Sequence, residues 1–141
     1  MNNPAMRQDS LLGLSAGGYH RMTYTEWGEA GAERTVVCVH GLTRNGRDFD
    51  ALATALAAAG RRVVCPDVVG RGLSDRLADA AAYGYPQYLA DMTALIARLD
   101  VAEVDFVGTS MGGLMGLMMA ALPGTPIRRL VTPRTPRRPC A

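Results

Sequence analysis

Gly108-Thr109-Ser110-Met111-Gly112 sets a serine between two glycines at the spacing of a sharp chain reversal. A serine hydroxyl is a weak nucleophile. It needs exposure, a base to take its proton, and hydrogen-bond donors for the oxyanion that forms. A tight strand-to-helix turn supplies the exposure, and Gly108 and Gly112 suit it because the turn is strained and backbones pass close by. A helix starting after the serine adds partial positive charge where an oxyanion develops. The amide of Met111, the next residue, points into the same space.

Taken alone, the pentapeptide also fits a plain β-turn-α connection with an incidental serine. Its setting argues against that. Val104–Val107 reads as a strand before it and Leu114–Leu122 as an apolar helix after it, the order that the chemistry demands. Upstream, His40-Gly41-Leu42 follows another strand-like run, where a second oxyanion donor belongs. Between them lies Asp67-Val68-Val69-Gly70-Arg71-Gly72-Leu73-Ser74-Asp75, after a third such run.

These segments depend on the elements that carry them. Thr35 to Val39 is a continuous β-branched run, expected of a strand buried on both faces. Phe49, Leu52, Ala53, Leu56 and Ala57 recur at helical spacing, with Gly60 placed to end that helix. Arg62 to Cys65 predicts the next strand. Residues 67–83 read as a long loop, and Pro86 to Leu99 as an amphipathic helix with its proline in the tolerant first turn. Ile127 to Val131 begins one more strand, and residues 19–27 suit an antiparallel edge strand. The alternation of strands and helices predicts an α/β fold, a mostly parallel sheet with helices on both faces and right-handed crossovers. Residues 1–18 read as an N-terminal tail.

The three motifs in this order resemble the α/β-hydrolase superfamily, and within it the bacterial esterase-like and carbon–carbon-bond hydrolases. The resemblance covers residues 19–131. It implies that Ser110 is the nucleophile, that the backbone amides of Leu42 and Met111 form the oxyanion hole, and that His40, Gly41, Gly108 and Gly112 shape the loop and elbow. The serine argues against the haloalkane dehalogenases and epoxide hydrolases, which are similar but use aspartate there. His40 reads as a loop-shaping residue rather than the base, because this fold places acid and base after the nucleophile in chain order. Asp67, Arg71 and Asp75 are expected to tie down their loop, Arg44 to be solvated, and His20 to lie at the surface. Met111, Met115, Met118 and Met119 are expected to fill core gaps.

The expected acid and histidine do not follow. All thirteen acidic residues lie at or before Asp105, and His40 is the last histidine. Members of this superfamily run to about twice the length of this 141-residue chain. The domain is therefore expected to be the N-terminal half of the fold, ending after about the sixth strand. Residues 132–141 read as an aberrant Pro/Arg-rich tail, because repeated proline does not continue a central strand. Every one of the fifteen basic residues is arginine, which suggests a GC-rich gene read out of frame near codon 132. Two functions follow from different classes. One is a hydrolase acting through Ser110 on an ester, thioester or related acyl or carbon–carbon bond. The other is a catalytically inactive, truncated remnant.

Composition bounds the remainder. The chain is 48% hydrophobic and 20% charged, the balance of a globular protein. No run is long enough to span a membrane, and Met1 to Asp9 lacks a signal core, so cytoplasm is the expected compartment. Cys38 and Cys65 sit in valine-rich runs and read as buried thiols, and Cys140 lies in the tail. No cysteine spacing suggests a metal site or disulfide framework. No cofactor and no metal are expected. The basic tail has no aromatic residue for base stacking, so nucleic acid is not an expected partner. The expected partners are a small-molecule substrate and a second copy, through an exposed sheet edge.

Overall fold

The computed structural model describes residues 6–133. β1 (Arg7–Ser15) and β2 (Gly18–Trp27) form an antiparallel hairpin. β3 (Thr35–Val39), β4 (Arg62–Pro66), β5 (Val104–Gly108) and β6 (Ile127–Val131) run parallel to one another. The six strands lie in the order β1-β2-β4-β3-β5-β6, and β2 meets β4 antiparallel. Three helices connect them: α1 (Asp50–Ala58), α2 (Tyr85–Leu99) and α3 (Met111–Ala120).

Strand alternation divides the core between the two faces. Val36 and Cys38 of β3, with Val63 and Cys65 of β4, face Phe49, Ala53 and Ala57 beside α1. Val37, Val39, Val64 and Phe106 face the other way, onto Met92 and Leu95 of α2 and Met115 of α3. The continuous apolar runs of β3 and β4 therefore satisfy two layers at once. All five residues of each are buried. Cys38 and Cys65 are both free and buried, and the neighbouring Cys38 together with burial pushes the Cys65 thiol upward.

Residues 7–15, expected as tail, are instead strand β1, paired with β2 along its whole length. Leu12 and Leu14 are exposed while Leu11 is buried, so the apolar residues point to both faces and the alternation is blurred. His20, expected at the surface, is only 4% exposed. Its Nε2 lies 3.0 and 2.9 Å from the two carboxylate oxygens of Asp91 on α2. Gln87 donates to the same carboxylate at 2.9 Å and to the Leu14 carbonyl at 3.1 Å. Gly13 makes the room: a Cβ there would stand 2.6 Å from Asp91 Oδ1.

This pair fastens the hairpin to α2. Burial pushes the Asp91 carboxyl upward, against the pull of His20. The stability that follows from a raised carboxyl is fully present below its unfolded value of 3.8 and is lost as pH rises through the folded value. Removing one partner is nonetheless costly, because it leaves the other buried and unpaired. Asp91→Ala is expected to lower stability by about 3 kcal/mol in urea unfolding at neutral pH. Replacing His20 and Asp91 together with apolar residues is expected to recover much of that loss. A single variant as stable as wild type would show that the pair does not hold the hairpin.

At the other end of the sheet, β6 is the outermost strand, and its Val131 is 54% exposed. Of the tail expected at 132–141, residues 134–141 lie outside the described residues. Among the described residues, no helix is long and apolar enough to cross a membrane.

Candidate active site

β5 ends at Gly108, and α3 starts at Met111, earlier than the apolar run at Leu114 suggests. Thr109 and Ser110 make the whole connection. Ser110 has φ 53° and ψ −113°, a positive φ that a side chain adopts only under strain. The turn closes tightly because glycines let backbone meet backbone. A Cβ at Gly112 would stand 2.6 Å from the Val39 carbonyl carbon and 2.9 Å from the His40 oxygen. One at Gly108 would stand 2.5 Å from the Gly113 nitrogen. These contacts press the start of α3 onto the ends of β3 and β5.

Ser110 is exposed and sits at the N-cap of α3, yet its hydroxyl makes no capping hydrogen bond. The loop after β3 arrives beside it: a Cβ at Gly41 would be 3.5 Å from the Ser110 Cβ. Among the described residues, neither the Leu42 nor the Met111 amide donates to a backbone carbonyl. A hydroxyl without a bond, two amides without carbonyl partners and a helix N-terminus therefore meet at one place.

His40 is fully buried, and both its nitrogens are engaged. The Val68 amide donates to Nε2 at 2.9 Å, which puts the ring proton on Nδ1, and Nδ1–H donates to the Gly41 carbonyl at 2.7 Å. That carbonyl shares a peptide plane with the Leu42 N–H, and the two point in opposite directions. By fixing one, His40 aims the other. The Arg44 amide reinforces it, donating to the same carbonyl at 3.1 Å. His40 thus shapes the loop and has no nitrogen left to serve as a base.

Burial holds the His40 imidazole below its ordinary value, outweighing the Gly41 carbonyl, which favours the charged form. A depressed folded value means that the unfolded chain protonates first as pH falls. The stability tied to His40 is complete above its unfolded value of 6.5 and declines below it. The expected result is a fall of up to about 1.4 kcal/mol per pH unit in urea unfolding below that point. The slope should flatten in His40→Gln. An unchanged slope would show that another group controls it.

The remaining expected residues take structural places. Asp67 accepts from the Gly46 amide at 2.7 Å and the Leu73 amide at 3.0 Å, and Asp75 accepts from the Arg21 amide at 2.7 Å. Arg44 is exposed and pairs with Asp48. Met111, Met115 and Met119 are buried in the core, whereas Met118 is 39% exposed. Two side chains had no place in the sequence reading of the core or site: Asp91, and Arg71 as a bridge between loops. The signal for Asp91 is a carboxylate at the helical spacing of Tyr88 and Leu95, on the face that packs. No group of three or more His, Cys, Asp or Glu side chains able to hold a metal occurs among the described residues.

A mostly parallel sheet with helices on both faces carries a strained serine at a strand–helix turn beside the loop of the neighbouring strand. A family model described as alpha/beta hydrolase fold matches residues 34–139, and the chain belongs to that family. It is 58% identical over 118 residues to 3-hydroxybutyrate-oligomer hydrolase of Cupriavidus necator, covering 84% of this chain and 40% of that protein. It is 33% identical over 96 residues to haloalkane dehalogenase 1 of Mycobacterium tuberculosis, covering 68% of this chain and 32% of that one. The fold matches the thioesterase domain from the curacin biosynthetic pathway with a TM-score of 0.81 and 30% identity, over 91% of this chain and 46% of that domain. The chain thus spans less than half the length of these relatives.

Proposed function

We propose that this chain carries the nucleophile and oxyanion hole of a serine-type ester hydrolase. Ser110 attacks the acyl carbon, and the Leu42 and Met111 amides stabilise the resulting oxyanion. The observation that carries the reading is the Ser110 turn itself: a strained, exposed serine whose hydroxyl caps nothing, beside two amides that meet no carbonyl among the described residues. Strain of this kind persists where the surrounding structure enforces it, and it concentrates at reactive positions. The likeness to a hydrolase of 3-hydroxybutyrate oligomers favours esters of short hydroxyacids as the substrate class.

A second reading rests on the histidines. His40 has both nitrogens engaged, and His20 is buried against Asp91. Neither serves Ser110, so the chain alone is expected to turn over substrate very slowly. Labelling separates these two statements. A fluorophosphonate or p-nitrophenyl butyrate adduct, mapped by peptide mass spectrometry, is expected on Ser110. An unlabelled serine in a chain that remains folded would favour the non-catalytic reading.

A further inference from the structure

We infer that Arg71 is the positioning residue of the oxyanion hole, clamping the loop and the helix start that supply its donors and adding an uncompensated positive charge behind them. The inference rests on the assignment of Leu42 and Met111 as those donors. Arg71 lies in the loop after β4, yet it reaches both segments. Its Nε donates to the Leu42 carbonyl at 3.0 Å, and its Nη2 lies 3.9 Å from the Met111 sulfur. Nη1 donates to the Val69 carbonyl at 2.9 Å and to the Tyr88 hydroxyl at 3.0 Å. The guanidinium also lies over the Tyr88 ring, 5.2 Å from its centroid. One side chain therefore links the β3 loop, the start of α3 and the first half of α2.

The site requires such a link. Two donors act together only if both lie about 2.7–3.1 Å from one point. Leu42 is 59% exposed, so its own side chain does not fix its backbone. His40 holds the peptide before Leu42, through the Gly41 carbonyl, and Arg71 holds the peptide after it. Among the described residues Arg71 forms no ion pair, although it is only partly exposed. Its charge is left to act on the oxyanion, together with the N-terminus of α3. Lysine would keep the charge and lose the planar fork, and glutamine would lose the charge.

The test uses the whole chain with Arg71→Lys and Arg71→Gln. With imidazole supplied as the base, acyl transfer from p-nitrophenyl butyrate is expected to lose about 10–100-fold in kcat in Arg71→Gln, with KM nearly unchanged, and less in Arg71→Lys. Added guanidinium is expected to restore part of the Arg71→Gln loss. A second readout needs no turnover. In a Ser110→Ala background, Arg71→Gln is expected to shift the amide resonances of Leu42 and Met111, while those of Val64 and Leu95 stay in place. If Ser110 is never acylated, the serine assignment fails and the amide signals still decide the role of Arg71. Unchanged amide signals, or a loss of stability that affects all amides alike, would overturn the inference.

Discussion

Ser110→Ala is expected to abolish covalent labelling of the chain and to lower imidazole-assisted acyl transfer by about 100-fold, after subtraction of the rate due to imidazole alone. The external base matters because deletions in a catalytic unit are not additive. Where the base is already missing, removing the nucleophile changes turnover little, and what remains comes from the oxyanion hole and binding. Imidazole restores the missing proton acceptor and so makes the contribution of Ser110 visible. A general base contributes about 10²–10⁴-fold when positioned, and an unpositioned one belongs at the low end. Stability gives an independent view of the same residue. Ser110 holds φ 53° and ψ −113°, which glycine adopts without strain. Ser110→Gly is expected to lose labelling as Ser110→Ala does, yet to gain about 1 kcal/mol of stability. Equal acyl transfer in wild type and Ser110→Ala, with imidazole present, would remove the serine from the chemistry.

Gly112→Ala is expected to cost more than about 4 kcal/mol, enough to leave much of the chain unfolded at room temperature. The added methyl would overlap the Val39 carbonyl and sit 2.9 Å from the His40 oxygen. Neither neighbour is the flexible end of a side chain. Val39 is the last residue of β3, which is buried and paired on both sides by β4 and β5. Relief would require α3 to move away from the sheet, opening the contacts of Met111 and Met115 with the core. It would also separate Met111 from the loop that carries Leu42. Gly31→Ala is the control, because a Cβ there meets nothing within 4 Å and φ is not positive. It is expected to change stability by less than about 0.5 kcal/mol. Urea unfolding of the two variants checks the contrast. A Gly112→Ala chain within about 1 kcal/mol of wild type would mean that α3 is held far more loosely than these contacts imply.

The amino-acid sequence by itself determined the elements whose signals are local. The runs Val36–Val39 of β3 and Val63–Cys65 of β4 declare strands buried on both faces, because every residue in these runs is apolar. The spacing of Met92, Leu95, Ile96 and Leu99 declares the helix that buries them. The turn at Ser110 was legible for the same reason: strand, glycine, serine, glycine and helix are contiguous in the chain, so their order carries the geometry. What the tertiary structure alone decided are contacts between residues far apart in sequence. His20 became a buried partner of Asp91, 71 positions away, only when the hairpin folded onto α2. β1 became a strand through pairing with β2, which its scattered leucines did not announce. The role of His40 came from the Val68 amide, 28 positions on, which engages the second ring nitrogen. Arg71 read as a residue of its own loop until the fold brought Leu42 and Met111 against it. Periodicity reports which face of an element is buried. Packing decides what that face meets, and the polar groups that meet there determine how the serine is held.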